Sequence, residues 1–315
     1  MKAIARSWLV LIVLVAAPGW AAAQSRFSGI VVFGTSLSDP GNAFALLGEA
    51  NTPPDFMLNP LLIPSAPYAR GGHHFSNGAT WVEQYARSVG LGDSVRAALA
   101  TTDPGVTNYA VGAARAYNDS VNFNLTRQVD AFLQRSDGVA SSSALYVIEM
   151  GGNDIRDAFQ AYATGANGGP ILQAALASIA ANIQNLYAAG AREFLVWAAP
   201  NVALTPAIRS LGPAAGALAT NLTQAFNGGL AQVLGQLSFG LPGISFARLD
   251  AEQILNAIVA NPAFFYLTNV TTACVTPNIA PFTCKPADEF LFWDGIHPTK
   301  VVHAILAQET AKVLQ

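Results

Sequence analysis

A three-layer α/β/α sandwich around a mainly parallel sheet is the fold this 315-residue sequence predicts. Three observations carry that expectation. Short apolar runs alternate with segments of helical period, as strands joined by crossover helices do. The leading runs are almost wholly apolar, which suits strands covered on both faces. The composition, 52% hydrophobic and 11% charged, is the reverse of a disordered chain and supports a sizeable core. No repeat, charge block or Pro/Ser linker divides residues 24–315, so they read as one domain.

Taken in order, the strands are Gly29–Phe33, a weaker Val106–Ala110, Ala144–Ile148, Phe194–Ala198 and Ile244–Leu249. Helical period is clearest where Leu172, Leu176, Ile179, Ile183 and Leu186 recur every three or four residues, with Gly190 placed to close the helix. Weaker patterns cover Trp81–Ser88, Thr126–Gln134, Ala214–Leu237, Glu252–Ala260 and Thr299–Leu314.

Ahead of the first strand, Lys2 and Arg6 precede an apolar run from Trp8 to Ala17, then Pro18, Gly19 and the small residues Ala21–Ala23. That layout is a secretory signal peptide over residues 1–23, cleaved near Ala23; the run is about half of what a membrane span needs. Removing it leaves 14 bases against 19 acids in an exported, secreted or periplasmic chain with no transmembrane segment. With an acidic balance and no Lys/Arg run, nucleic acid is not an expected partner. Two cysteines exclude a four-cysteine zinc site. In an oxidising compartment Cys274 and Cys284 are expected to pair as a disulfide.

In parallel sheets ligands bind beyond the carboxyl ends of the strands. Three small and polar clusters fall there: Gly34-Thr35-Ser36-Leu37-Ser38-Asp39, then Tyr109-Ala110-Val111-Gly112-Ala113, then Gly151-Gly152-Asn153-Asp154. Near the other end of the chain stands Asp294-Gly295-Ile296-His297. Three residues apart on a turn, Asp294 can accept a hydrogen bond from the His297 imidazole, fixing its tautomer and stabilising the imidazolium. Of His73, His74, His297 and His303, His297 alone has an acid within four residues. A hydroxyl nucleophile needs such a base and donors for the developing oxyanion. Ser36 sits in a glycine-containing turn that exposes its oxygen and its N–H, with Ser38 as the local rival. The Gly112 N–H and the Asn153 amide are further candidate donors.

These residues resemble the GDSL (SGNH) esterase/lipase family, in particular its secreted bacterial phospholipase/lecithinase-like branch, over essentially the whole of residues 24–315. Phe33–Asp39 is similar to the family's first block, Gly112 and Asn153 to the glycine and asparagine of the second and third, and Asp294 and His297 to its DxxH signature. Arg70-Gly-Gly-His-His-Phe75-Ser76-Asn77-Gly78, followed by Trp81 and Glu83, resembles the branch's RFSNG…W.E segment with an insertion. The resemblance implies a flavodoxin-like SGNH hydrolase domain with Ser36 as nucleophile, His297 as base and Asp294 as orienting acid. Ser36 N–H, Gly112 N–H and Asn153 would form the oxyanion hole. It implies hydrolysis of a small-molecule or lipid carboxylic ester through an acyl-enzyme, with no metal or organic cofactor. One departure stands out: Thr35 occupies the place of the family's usual Asp. An α/β-hydrolase elbow, Gly-x-Ser-x-Gly, is excluded because position 38 is Ser.

The runner-up keeps the same triad but acts on membrane lipids, as a phospholipase, lysophospholipase or acyltransferase of haemolysin type. A secreted binding module on this fold would have no use for the triad. Phe264, Phe265, Tyr266, Phe282, Phe290, Phe292 and Trp293 cluster ahead of His297, either as ordinary packing or as an apolar, choline-accepting wall.

Overall fold

Side chains of a strand alternate between faces, so a run such as Ile30-Val31-Val32-Phe33 is apolar throughout only if both faces are covered. In the computed structural model, which describes residues 26–315, that is the arrangement. Strands β1 (Ile30–Gly34), β2 (Leu145–Glu149), β3 (Glu193–Ala198) and β4 (Ser245–Asp250) form a parallel sheet in the order β1-β2-β3-β4. The expected leader, residues 1–23, lies outside the described residues. β4 is the polar edge of the sheet, exposed at Ser245, Arg248 and Asp250.

The helices are α1 (Asn42–Leu47), α2 (Trp81–Ser88), α3 (Leu125–Arg135), α4 (Gly152–Ala163), α5 (Gly169–Ala189), α6 (Pro206–Arg209), α7 (Pro213–Gly240), α8 (Ala251–Ala260) and α9 (Lys300–Val313). Val31, Phe33, Tyr146, Ile148 and Val196 point into one core with the apolar faces of α3, α4, α5 and α7. Ile30, Val32, Val147, Leu195 and Trp197 point into the other, with α2, α8 and α9. The three layers are therefore those the hydrophobic pattern predicts.

The structure departs from the sequence reading at several elements. Val106–Ala110 is not a regular strand: it touches β1 through a single bridge, Val32 with Asn108, because Asn108 Oδ1 takes the Ala110 N–H at 3.0 Å and turns the chain away. α1 answers to no predicted element, and α4 begins inside the small, polar Gly151–Asp154 cluster expected to be a loop. The small parallel pair β5 (Asn269–Ala273) and β6 (Phe290–Phe292) lacks alternating polarity and went unread. Cys274 and Cys284, between those two strands, are joined as expected.

From β1 the chain passes to the 106–110 segment on one side and then returns to β2 on the other. The direction of winding thus reverses at β1, and the loops leaving β1 and the 106–110 segment diverge to open a crevice.

Candidate active site

The crevice is lined first by the turn that follows β1. Ser38 N–H donates to Thr35 O at 3.1 Å, closing a tight turn with Ser36 at its first central position. The turn is anchored underneath by Glu149, which the β1–β2 register sets beside Gly34. Thr35 N–H donates to Glu149 Oε2 at 2.9 Å, the Thr35 hydroxyl to the same carboxylate at 3.0 Å, and Ser38 Oγ at 3.1 Å. Ser38 Oγ also accepts from Trp81 Nε1 at 2.9 Å and is fully buried, so this rival hydroxyl is committed to structure. The departure at position 35 has a physical account: threonine supplies a donor to Glu149, where an aspartate would oppose a second carboxylate to it. Burial pushes the Glu149 carboxyl up to about 7 against the pull of its donors.

The second turn carries Asp294 and His297, both buried. His297 Nε2 lies 2.8 Å from Ser36 Oγ, and His297 Nδ1 lies 2.7 Å from Asp294 Oδ2. Asp294 Oδ1 accepts the backbone N–H groups of Ile296 at 2.9 Å and His297 at 2.8 Å. Asp294 Oδ2 also accepts the Tyr68 hydroxyl at 2.9 Å, a partner 226 residues away that no local pattern announced. Beside Asp294 and buried, the Tyr68 phenol is held far above its ordinary pKa and stays a donor. Gly295 is required by close approach: a Cβ there would meet Leu61 O at 2.0 Å. Phe75, from the Arg70–Gly78 segment, packs its ring 5.3 Å from the His297 ring.

The N–H groups expected to face a developing oxyanion are not all free. Gly112 N–H is not free: it donates to Asp39 Oδ2 at 2.8 Å. Glycine stands at 112 because a Cβ would collide with the Phe75 ring at 2.2 Å. The next residue, Ala113, occupies the third position of the turn closed by Ala114 N–H to Val111 O, at φ 64°. A left-handed alanine is an uncommon conformation of the kind found at functional sites. Among the described residues neither the Ala113 N–H nor the Ser36 N–H has an acceptor. Asn153 lies in the first turn of α4; its Nδ2 donates one hydrogen to Ala114 O at 2.8 Å, which leaves the other, and its Oδ1 accepts from Arg156 Nη1 at 3.0 Å. The helix N-terminus adds positive potential there.

Two cavities meet at Ser36, Asn153 and His297. A narrow cleft of about 70 Å³ runs toward Trp197, Leu255, Phe292 and Leu306. A wider groove of about 370 Å³ runs past Leu46, Leu47, Phe75, Ala113 and Arg127. Of the aromatic cluster before His297, Phe292 alone borders either cavity. Phe264 and Tyr266 are exposed, and Phe282, Phe290 and Trp293 pack with the cysteine loop, so a choline-accepting wall is not assembled from them. Among the described residues no group of three His, Cys, Asp or Glu side chains is gathered as a metal ion would require.

A hydroxyl, an imidazole and a buried carboxylate in one line can pass a proton from Ser36 Oγ to His297, with free donors nearby for a developing anion. Comparison with known proteins agrees in kind. Residues 30–310 match the family model described as GDSL-like lipase/acylhydrolase. A GDSL esterase/lipase of Arabidopsis thaliana is 28% identical, over 89% of this chain and 80% of its own length. A second from the same plant is 24% identical over 96% and 95%, and a third 26% identical over 90% and 88%.

Proposed function

Since the chain belongs to the GDSL-like lipase/acylhydrolase family and is a carboxylic ester hydrolase, we propose that it is an exported serine hydrolase working through Ser36, His297 and Asp294. Ser36 Oγ attacks the ester carbonyl as His297 Nε2 takes its proton. The negative charge that forms on the carbonyl oxygen is received by Ser36 N–H, Ala113 N–H and the free Asn153 Nδ2 hydrogen. Collapse expels the alcohol, which takes the proton from His297 and leaves the acyl group on Ser36. Water, deprotonated by His297, then releases the acid. Asp294 holds the imidazole tautomer throughout.

The observation that carries this reading is the unbroken line Ser36 Oγ to His297 Nε2, 2.8 Å, and His297 Nδ1 to Asp294 Oδ2, 2.7 Å. The acyl chain is assigned to the narrow cleft, whose floor is Trp197, Leu255, Phe292 and Leu306, and the alcohol to the wider groove. Export is supported by the leader sequence and by the Cys274–Cys284 bridge. Among the described residues no helix is long and apolar enough to cross a membrane.

A second reading, action on membrane lipids as a phospholipase, lysophospholipase or acyltransferase, is favoured by one feature. Leu46, Leu47 and Val121, at the groove, are 51%, 54% and 80% exposed, an apolar rim suited to a lipid surface. The finer likeness to the secreted bacterial phospholipase-like branch rests on the Arg70–Gly78 segment with Trp81 and Glu83.

Hydrolysis of nitrophenyl esters from acetyl to palmitoyl, with wild type and Ser36→Ala side by side, tests the proposal. Loss of at least about 10⁴-fold in the variant is expected, with an optimum at short acyl chains. Equal rates in the two proteins would overturn it.

A further inference from the structure

Arg156 stands one turn beyond Asn153 on α4 and borders both cavities. Its guanidinium spends one N–H on Asn153 Oδ1. No described carboxylate forms an ion pair with it. The acids that act on it electrostatically, Asp157 and Asp294, are engaged elsewhere: Asp157 with Arg115 and Tyr117, Asp294 with His297 and Tyr68. A half-buried cation with no direct ion-pair partner is costly to keep, and burial pulls the Arg156 pKa down. Four of its five donors are left for whatever enters the crevice.

Arg127 borders the wide groove from the first turn of α3. A cation there is opposed by the helix dipole, so helix stability does not account for it. Among the described residues its guanidinium donates to the Asn122 carbonyl at 3.3 Å and forms no ion pair. No described Asp or Glu borders the groove, although acids outnumber bases along the chain.

From these observations we infer that the wide groove is a binding site for an anionic substituent on the ester's alcohol, a phosphate or carboxylate, held by Arg127 and Arg156. Planar guanidinium groups match such oxyanions in geometry as well as charge. A phosphate there gives Arg156 a direct ion-pair partner while Arg156 continues to hold the Asn153 carbonyl, so occupancy of the groove and the set of the Asn153 amide are linked through one side chain. The inference rests on the hydrolase reading for its place in catalysis, but the site itself can be read without turnover.

Calorimetric binding of hexyl phosphate, hexanoate and hexanol to wild type, Ser36→Ala, Arg127→Gln and Arg156→Gln supplies the first arm. Hexyl phosphate should bind wild type and Ser36→Ala at least about tenfold more tightly than hexanol, the factor one charge-assisted hydrogen bond carries. The preference should shrink in both arginine variants and with added salt. Arg127→Lys, which keeps the charge, should retain part of it. Hexanoate binding as tightly as hexyl phosphate assigns the site to carboxylates generally; weaker hexanoate assigns it to phosphate. Equal affinity for hexyl phosphate and hexanol in folded wild type overturns the inference. The second arm compares kcat/KM for hexanoylglycerol and hexanoylglycerol 3-phosphate. Phosphate binding with neither ester cleaved would sink the hydrolase reading and leave the anion site standing. Ser36-dependent cleavage of both with no phosphate preference would do the reverse.

Discussion

The two turns that bring Ser36 and His297 together are held by opposite means. The Ser36 turn is fixed from below by the end of the neighbouring strand, through Glu149, and by Gln128, whose amide takes the Gly34 N–H at 2.8 Å and donates to the Gly34 carbonyl at 2.9 Å. The His297 turn rests on no strand of the main sheet. It is clamped by distant loops: Tyr68 on the Asp294 carboxylate, Leu62 O accepting the Gly295 N–H at 2.8 Å, and Phe75 against the imidazole. One half of the site is therefore tied to the main sheet, and the other to its own turn, where Trp293 N–H donates to the His297 carbonyl at 2.8 Å, and to the loops over residues 61–75. Placement of His297 thus draws on contacts outside the main sheet, whereas placement of Ser36 comes with the sheet.

The largest effect should come from the loop-held half. Asp294→Asn keeps the shape but presents the wrong hydrogen to His297, and kcat should fall by about 10⁴-fold; a loss below tenfold in steady-state assays would remove Asp294 from the mechanism. On the sheet-held side, Asn153→Ala should lower kcat by roughly 10²–10³ with little change in KM, as for loss of one oxyanion donor. An unchanged kcat would leave Ser36 and Ala113 as the working donors. Tyr68→Phe deletes one hydrogen bond to a buried carboxylate, and kcat should fall by about tenfold. A change in KM alone would mean that Tyr68 shapes the groove rather than the base.

The smallest effect tests the floor of the Ser36 turn. Glu149 has its pKa raised from 4.5 to about 7, so the folded state binds its proton more tightly than the unfolded state does. The stability it contributes is complete below about pH 4.5 and is lost as the pH rises through about 7. Asp39 and Asp154, each raised from 3.8 to about 6, and His74, also raised, act in the same direction. Thermal melts should therefore show wild type losing Tm between pH 4.5 and 7, and Glu149→Gln losing less of it. Identical slopes would show that Glu149 titrates alike in both states.

This contrast also explains what could be read from the chain. β1 to β4, Ser36, Asn153 and the Asp294–His297 pair were legible because each is announced by neighbours in sequence: an apolar run, a glycine turn, a three-residue spacing. At Gly112, expected as a donor, the N–H is taken by Asp39; a glycine can mark either a free N–H or a crowded Cβ, and here the Phe75 ring crowds it. Tyr68 carries no local mark, because its contact with Asp294 arises only when distant segments meet. Glu149 did carry one: a carboxylate ending an otherwise apolar strand has to find donors, and the register hands it those of Thr35 and Ser38.

That two cavities converge on one serine has a kinetic consequence. On the proposed mechanism, with the acyl chain in the cleft and the alcohol in the groove, the alcohol leaves first while the acyl group stays on Ser36. At that stage the groove stands vacant, and water competes with any hydroxyl compound that fits it. Partition between hydrolysis and ester exchange is then governed by groove occupancy, not by the strength of the triad, and added alcohol accelerates turnover whenever deacylation is the slow step.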